Sequence, residues 1–139
     1  MSNENSFSLV KMKKILALFC LLFPFLCACQ QKGVGFRSLP VEEFVDVIVD
    51  SDVQRLDVRT PAEYTEGHIP GSLNINVLDP QFAQMADSLL QKDKPVALYC
   101  RSGRRSKKAA ELLSKAGYEV YELDSGFHGW QKAGLEVEK

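Results

Sequence analysis

Cys100-Arg101-Ser102-Gly103-Arg104-Arg105-Ser106 is the stretch of this chain whose residue types are fit for chemistry. A cysteine reacts as its thiolate, and everything around this one favours ionisation. Arg101, Arg104, Arg105, Lys107 and Lys108 bring five positive charges with no acid among them. A thiol in that field is expected well below its free pKa of about 8.5. A buried core cysteine is the competing reading, since free cysteine is often buried. Core positions, however, rarely lie in a run of Arg, Ser and Gly. The expected chemistry is nucleophilic attack by sulfur at a site that attracts anions.

The flanking elements place that sulfur. Pro95-Val96-Ala97-Leu98-Tyr99 reads as a short buried strand. Ala109, Ala110, Leu112, Leu113 and Ala116 recur at helical spacing, and Gly117 is a helix stop. Cys100 therefore ends a strand and opens a loop into a helix N-terminus, where free N–H groups and the helix dipole favour negative charge. The other three cysteines, Cys20, Cys27 and Cys29, all precede residue 30. Cys100 has no disulfide partner in the folded part and no metal-ligand spacing around it.

The N-terminus reads as an address. Lys11, Lys13 and Lys14 precede an apolar run from Ile15 to Ala28, interrupted by Pro24. Its 14 positions suit a signal-peptide core better than a bilayer span, which needs about 20. Met12 is a possible true start. Leu26-Cys27-Ala28-Cys29 resembles a bacterial lipobox, in which cleavage precedes the last cysteine and a lipid is attached to it. The domain organisation expected is a signal peptide over 1–28, lipidated Cys29 with a tether over 29–34, and a folded domain over 35–139. That places the protein in the cell envelope, anchored to a bacterial membrane on its periplasmic or outer-membrane side. Of 17 basic and 18 acidic residues, three and one lie before Cys29, so the remainder is mildly acidic around a basic loop. This pattern argues for a local anion site and against a nucleic-acid partner, which would require a basic surface. About 105 residues suffice for one compact domain.

Strands and helices alternate through that domain. Phe36–Leu39 is a weak strand, and Pro40 opens a helix with Val41, Phe44, Val45 and Ile48 on one face. Val53–Val58 is a strand, and Thr60-Pro61 reads as the cap and first residue of a short helix. A turn over Gly67–Gly71 leads to a strand around Leu73–Ile75. Pro80–Leu90 is helical, with Phe82, Met85, Ala86, Leu89 and Leu90 as its apolar side. A Tyr118–Leu123 strand and a helix from Gly126 close the domain. Such alternation implies a mostly parallel sheet covered on both faces. Ligands then bind beyond the carboxyl ends of the strands, where Cys100 falls.

Three ordered motifs carry a resemblance. Leu56-Asp57-Val58-Arg59-Thr60-Pro61-Ala62-Glu63-Tyr64 with Gly67-His68-Ile69-Pro70-Gly71-Ser72-Leu73-Asn74-Ile75 resembles the first signature of the single-domain rhodaneses. Tyr99-Cys100-Arg101-Ser102-Gly103-Arg104-Arg105-Ser106 resembles their active-site loop, and Gly126-Phe127-His128-Gly129-Trp130 their C-terminal signature. The match spans roughly residues 35–135. It implies a three-layer α/β/α fold with a mostly parallel sheet of about five strands. It also implies sulfur transfer: the Cys100 thiolate takes the outer sulfur of thiosulfate or a similar donor, becomes a persulfide, and passes the sulfur to cyanide or a thiol acceptor. No metal or organic cofactor is needed, and the domain is expected to act as a monomer. Loop length separates this chemistry from cysteine phosphatases, whose cysteine is followed by five residues and then Arg. Here that sixth position is Ser106, and Arg105 comes one residue early. A six-residue ring, Cys100 to Arg105, suits the smaller sulfane sulfur.

Within that resemblance, the N–H groups from Arg101 to Arg105 would converge on the terminal sulfur. Gly103 supplies the positive φ such a curl needs. Ser102 and Ser106 offer hydroxyls, and Ser106 is also placed to cap the helix. Arg101 and Arg104 would steer an anionic donor, while Arg105 either joins them or folds back to brace the loop. Asp57 and Arg59 are expected on the same rim, organising the site. His68 and His128 read as structural, although Phe127 and Trp130 beside His128 could wall a pocket. Glu63 reads as a local pairing partner. Lys107 and Lys108 are either part of the anion field or a solvated face. A rhodanese-like binding module without turnover is the alternative function.

Overall fold

A computed structural model of the chain describes residues 35–139. The segment expected to be a signal peptide, with Cys20 and Cys27, and the expected lipidated Cys29 and tether lie outside the described residues. The elements, in chain order, are β1 (Arg37–Leu39), α1 (Val41–Ile48), β2 (Gln54–Asp57), α2 (Pro61–Glu66), β3 (Leu73–Asn74), α3 (Phe82–Leu89), β4 (Val96–Tyr99), α4 (Arg104–Lys115), β5 (Val120–Leu123) and α5 (Gly126–Lys132). The five strands form one wholly parallel sheet in the order β1-β5-β4-β2-β3. The expected α/β fold is the one observed.

β4 is central, and all four of its residues are buried. That is why Val96-Ala97-Leu98-Tyr99 is continuously apolar rather than alternating. Val96 and Leu98 face one layer with Phe82 and Ala86 of α3 and Ala109, Ala110 and Leu113 of α4. Ala97 and Tyr99 face the opposite layer with Phe44 and Ile48 of α1 and Phe127 and Trp130 of α5. The pleat sends successive side chains to opposite faces. Cys100, one residue past β4, falls on the α3/α4 side.

Some boundaries move. Pro40 precedes α1 instead of lying in it, because its ψ of 165° is extended. Leu89 is 57% exposed while Leu90 is buried. The helix ends at Leu89, and the extended backbone at Leu90 turns the next side chain inward. Leu112, expected on the buried stripe of α4, is also exposed.

Register fixes the rim of the sheet. Asp57 of β2 is opposite Tyr99 of β4, so both strands stop at the same level. Val58 N donates to Tyr99 O at 3.0 Å and carries the pairing one step further. Asn74 Nδ2 donates to the Asp57 and Arg59 carbonyls, both at 3.0 Å, and ties β3 to that end. Cys100 and Asp57-Val58-Arg59 therefore emerge side by side at the carboxyl edge.

Candidate active site

The loop is shaped from its carbonyls. Phe127 N donates to Cys100 O at 2.8 Å, and His128 N donates to Arg101 O at 3.0 Å. With those carbonyls held by the first turn of α5, the amides that follow are free to face the sulfur. Gly103 N donates to Cys100 Sγ at 3.1 Å, and the amides of Ser102 and Ser106 also act on the thiol. Gly103 has a φ of 97°, the left-handed region that glycine enters at little cost. A Cβ there would lie 2.1 Å from the Asp124 carbonyl oxygen. At Gly126, φ 62°, a Cβ would lie 2.6 Å from Arg101 C and O. The loop and the start of α5 are thus packed backbone to backbone, which only glycine allows at both positions.

Cys100 is 1% exposed. Burial pushes its thiol up, but the hydroxyl of Ser106 and the amides of Ser106, Ser102 and Gly103 outweigh it, and its pKa lies below the ordinary value. No side chain caps α4 at Gly103. The sulfur occupies that place and accepts from the helix start, which concentrates positive potential on it.

Ser106 does not cap the helix. It is the third residue of α4, with Oγ 3.3 Å from Cys100 Sγ and 2.6 Å from Glu122 Oε1. Arg105 is a brace: its two terminal nitrogens donate to the two Glu63 oxygens, each at 2.8 Å. Glu63 is itself held in a capping box, with Thr60 Oγ1 accepting from Glu63 N and the Glu63 carboxylate accepting from Thr60 N. The Arg105 guanidinium draws the Glu63 carboxyl down to about 2, against its own partial burial. Arg101, Ser102 and Arg104 are exposed at the loop surface, and neither arginine is in an ion pair with a described residue. Lys107 is engaged on one side, with Nζ 3.4 Å from Glu122 Oε1, while Lys108 is solvated.

Asp57 and Arg59 form a buried pair beneath the loop. Asp57 accepts from Arg59 Nη2 at 2.7 Å, from Arg59 N at 2.9 Å and from the Tyr99 hydroxyl at 2.8 Å. Arg59 Nη2 also donates to Gly67 O at 2.6 Å, and the guanidinium lies 4.2 Å from the Phe127 ring centroid. Burial works against the Arg59 charge, yet the Asp57 hydrogen bond and charge raise its pKa. Burial pushes the Tyr99 hydroxyl up, so it stays a neutral donor to Asp57 and accepts from Ile69 N at 3.0 Å. Asp57, the Tyr99 hydroxyl and the Nε and Nη2 of Arg59 are all partnered, which makes this cluster a support for the rim.

A cavity of about 350 Å³ opens beside the loop, lined by Arg59, Glu63, Arg101, Phe127 and His128 among others. Phe127 walls it as expected, whereas Trp130 packs in the α1/α5 layer and donates to Glu136 O at 2.8 Å. His68 is structural, stacked on Tyr64 at 3.7 Å and bonded through Nδ1 to Tyr64 O at 2.9 Å. Glu122, fully buried and 2.6 Å from Ser106 Oγ, is the site neighbour that the sequence did not single out. Its signal is an acid amid Val120, Tyr121 and Leu123 in a strand.

The family profile described as Rhodanese-like domain matches residues 40–133. A protein of Pseudoalteromonas translucida named thiosulfate sulfurtransferase GlpE is 32% identical over 106 residues, spanning 74% of this chain and 96% of that one. Its namesake in Shewanella oneidensis is 34% identical over 101 residues, spanning 71% and 96%. The solved structure of a rhodanese-related protein from Thermoplasma volcanium aligns with a TM-score of 0.65 at 30% identity, covering 74% of this chain and 98% of that one.

Proposed function

This chain belongs to the rhodanese-like domain family, and on that premise we propose that it is a sulfurtransferase working through a Cys100 persulfide. The donor is thiosulfate or a similar small anion, and the acceptor is cyanide or a thiol. The observation that carries the reading is the enclosed Cys100 sulfur facing the Gly103, Ser102 and Ser106 amides. The Cys100 thiolate attacks the outer sulfur of thiosulfate, the sulfur–sulfur bond of the donor breaks, and sulfite leaves with the bonding electrons. The terminal sulfur of the persulfide then carries negative charge where the amides can stabilise it. An acceptor attacks that sulfur, and the Cys100 thiolate departs. Splitting the transfer in two lowers each barrier. Arg101 and Arg104 steer the dianion to the loop. The near-complete burial of Cys100 favours donors whose reacting atom is a slim terminal sulfur.

The test is thiosulfate:cyanide transfer by the full chain and by Cys100→Ser, with intact mass after donor treatment. A gain of about 32 Da, one sulfur, is expected in the wild type alone, together with turnover. Absence of both from a folded, reduced sample offered several sulfane donors would refute the enzyme and leave a binding module. For the N-terminal segment we propose export, cleavage before Cys29 and lipidation of that residue, supported by the Lys11–Ala28 pattern and Leu26-Cys27-Ala28-Cys29. Fatty-acid labelling that persists in Cys29→Ser would refute it.

A further inference from the structure

Arg59 is only 3% exposed, yet its guanidinium is not fully engaged. Nε and Nη2 are taken by Asp57 and the Gly67 carbonyl. Nη1 has no hydrogen-bond acceptor among the described residues. It is not sealed in either, since the one sealed and unpartnered side-chain polar atom among those residues is Ser125 Oγ. Arg59 lines the cavity of about 350 Å³ beside the loop, so the spare N–H groups of Nη1 open there. A buried cation with donors left over calls for an acceptor from outside.

The same cavity holds free charges of opposite sign. Arg101 and Glu66 both line it, both are exposed, and neither joins an ion pair with a described residue. Glu63, also in the wall, is spent on Arg105. A simple anion suits Arg59 and Arg101 but not Glu66. A ligand with a carboxylate and an ammonium suits all three. The volume is at the lower end of ligand pockets, about 300–1,000 Å³, and fits a small molecule. The wall is continuous with the loop: Arg101 follows Cys100, and the Phe127 and His128 amides hold the Cys100 and Arg101 carbonyls. Arg105, bridged to Glu63, is close enough to Cys100 for their charges to interact.

We propose that this cavity is the acceptor subsite and that it selects a small zwitterionic thiol of the free-cysteine class. Arg59 Nη1 and Arg101 receive the carboxylate, and Glu66 receives the ammonium. The acceptor thiol loses its proton to solvent. Its sulfur bonds to the terminal sulfur of the Cys100 persulfide, the Cys100 sulfur–sulfur bond breaks, and the bonding pair leaves with the Cys100 thiolate. The acceptor departs as a persulfide. Donor and acceptor arrive in turn, so Arg101 can serve the anion of each.

The acceptor role rests on the sulfurtransfer reading, so one arm of the test needs no transfer. S-Methylcysteine carries both charges but no thiol. Titrated into the full chain with Cys100→Ser, it should bind saturably and shift the imidazole resonances of His128, which lines the cavity. Adding Glu66→Gln or Arg101→Gln should weaken that binding about threefold each. In the second arm the wild type is charged with thiosulfate, and sulfur loss to cysteine, cysteamine and mercaptopropionate is timed, each rate corrected for the fraction ionised. Cysteamine lacks the carboxylate and mercaptopropionate the ammonium. Cysteine should lead cysteamine about tenfold and mercaptopropionate about threefold. Glu66→Gln should erase the lead over mercaptopropionate and keep the lead over cysteamine. Arg59→Lys should cut the lead over cysteamine; should it fail to fold, Glu66→Gln and Arg101→Gln decide the matter. Equal rates for the three thiols, no saturable binding of S-methylcysteine, or a Glu66→Gln variant with the wild-type preference would overturn the proposal. Binding of S-methylcysteine by a chain that takes no sulfur from any donor would refute sulfur transfer, and with it the acceptor role, while the zwitterion site stands.

Discussion

Glu63→Gln should loosen the Cys100 loop by a calculable amount. The carboxyl is drawn from an ordinary 4.5 to about 2, chiefly by Arg105. Each unit is about 1.4 kcal/mol of differential interaction, so the shift corresponds to roughly 3 kcal/mol before screening. Both partners are about a quarter exposed, with side-chain exposures of 24% and 25%, and solvent weakens such a pair. A loss of about 1–2 kcal/mol at pH 7 is expected, or roughly 5–15 °C in Tm for a domain of this size. The sign follows from a depressed folded-state pKa. The stabilisation is fully present above about 4.5 and drains away as pH falls towards 2. Thermal unfolding of wild type and Glu63→Gln should therefore differ clearly at pH 7 and converge near pH 2–3. A gap unchanged between those pH values would refute the ion-pair account. So would a pH 7 difference below about 0.5 kcal/mol, the usual worth of an exposed pair.

Gly103→Ala should abolish sulfur transfer, since the substitution strains the left-handed backbone and drives a methyl into the Asp124 carbonyl; alkylation against pH should show the Cys100 thiol moving up towards its ordinary range as the amide contacts are lost, and an unmoved profile would refute the cradle. Wild-type reactivity should persist at pH values below the ordinary thiol range and fade as acid protonates Cys100, because hydrogen bonds hold its pKa down. Tyr99→Phe should cost about 1–3 kcal/mol in denaturant unfolding, because it leaves the Ile69 amide without its acceptor in a buried site and removes one donor from Asp57 Oδ2, which keeps Arg59. The double variant Arg101→Ala, Arg104→Ala should raise KM for thiosulfate about tenfold with a smaller change in kcat, and should flatten the salt dependence of kcat/KM; unchanged kinetics would remove both from donor capture.

What could be read along the chain was whatever is encoded locally. Continuous apolar residues over Val96–Tyr99 announce a buried strand, Thr60-Pro61 announces a helix start, and Gly103 inside a basic run announces a left-handed curl. Each depends on backbone sterics and hydrogen bonds within a few residues, so type and spacing suffice. The motifs around Asp57, Cys100 and Gly126 identify the family for the same reason: the loop's shape is written in consecutive residues. Partnerships across the fold were not legible. Arg105 meets Glu63 from 42 positions away, and Tyr99 meets Asp57 at the same separation. Glu122 reaches Ser106 from 16 positions away because β5 lies beside β4 and α4 covers that face. Periodicity tells which face of a strand or helix is buried, but not which polar group waits opposite. Strand order and register decide that, and they are settled by packing of the whole sheet. The sequence by itself therefore determined the candidate nucleophile and the loop that cradles it. Only the tertiary structure decided that Arg105 is committed to a brace and that a buried carboxylate stands behind the thiol.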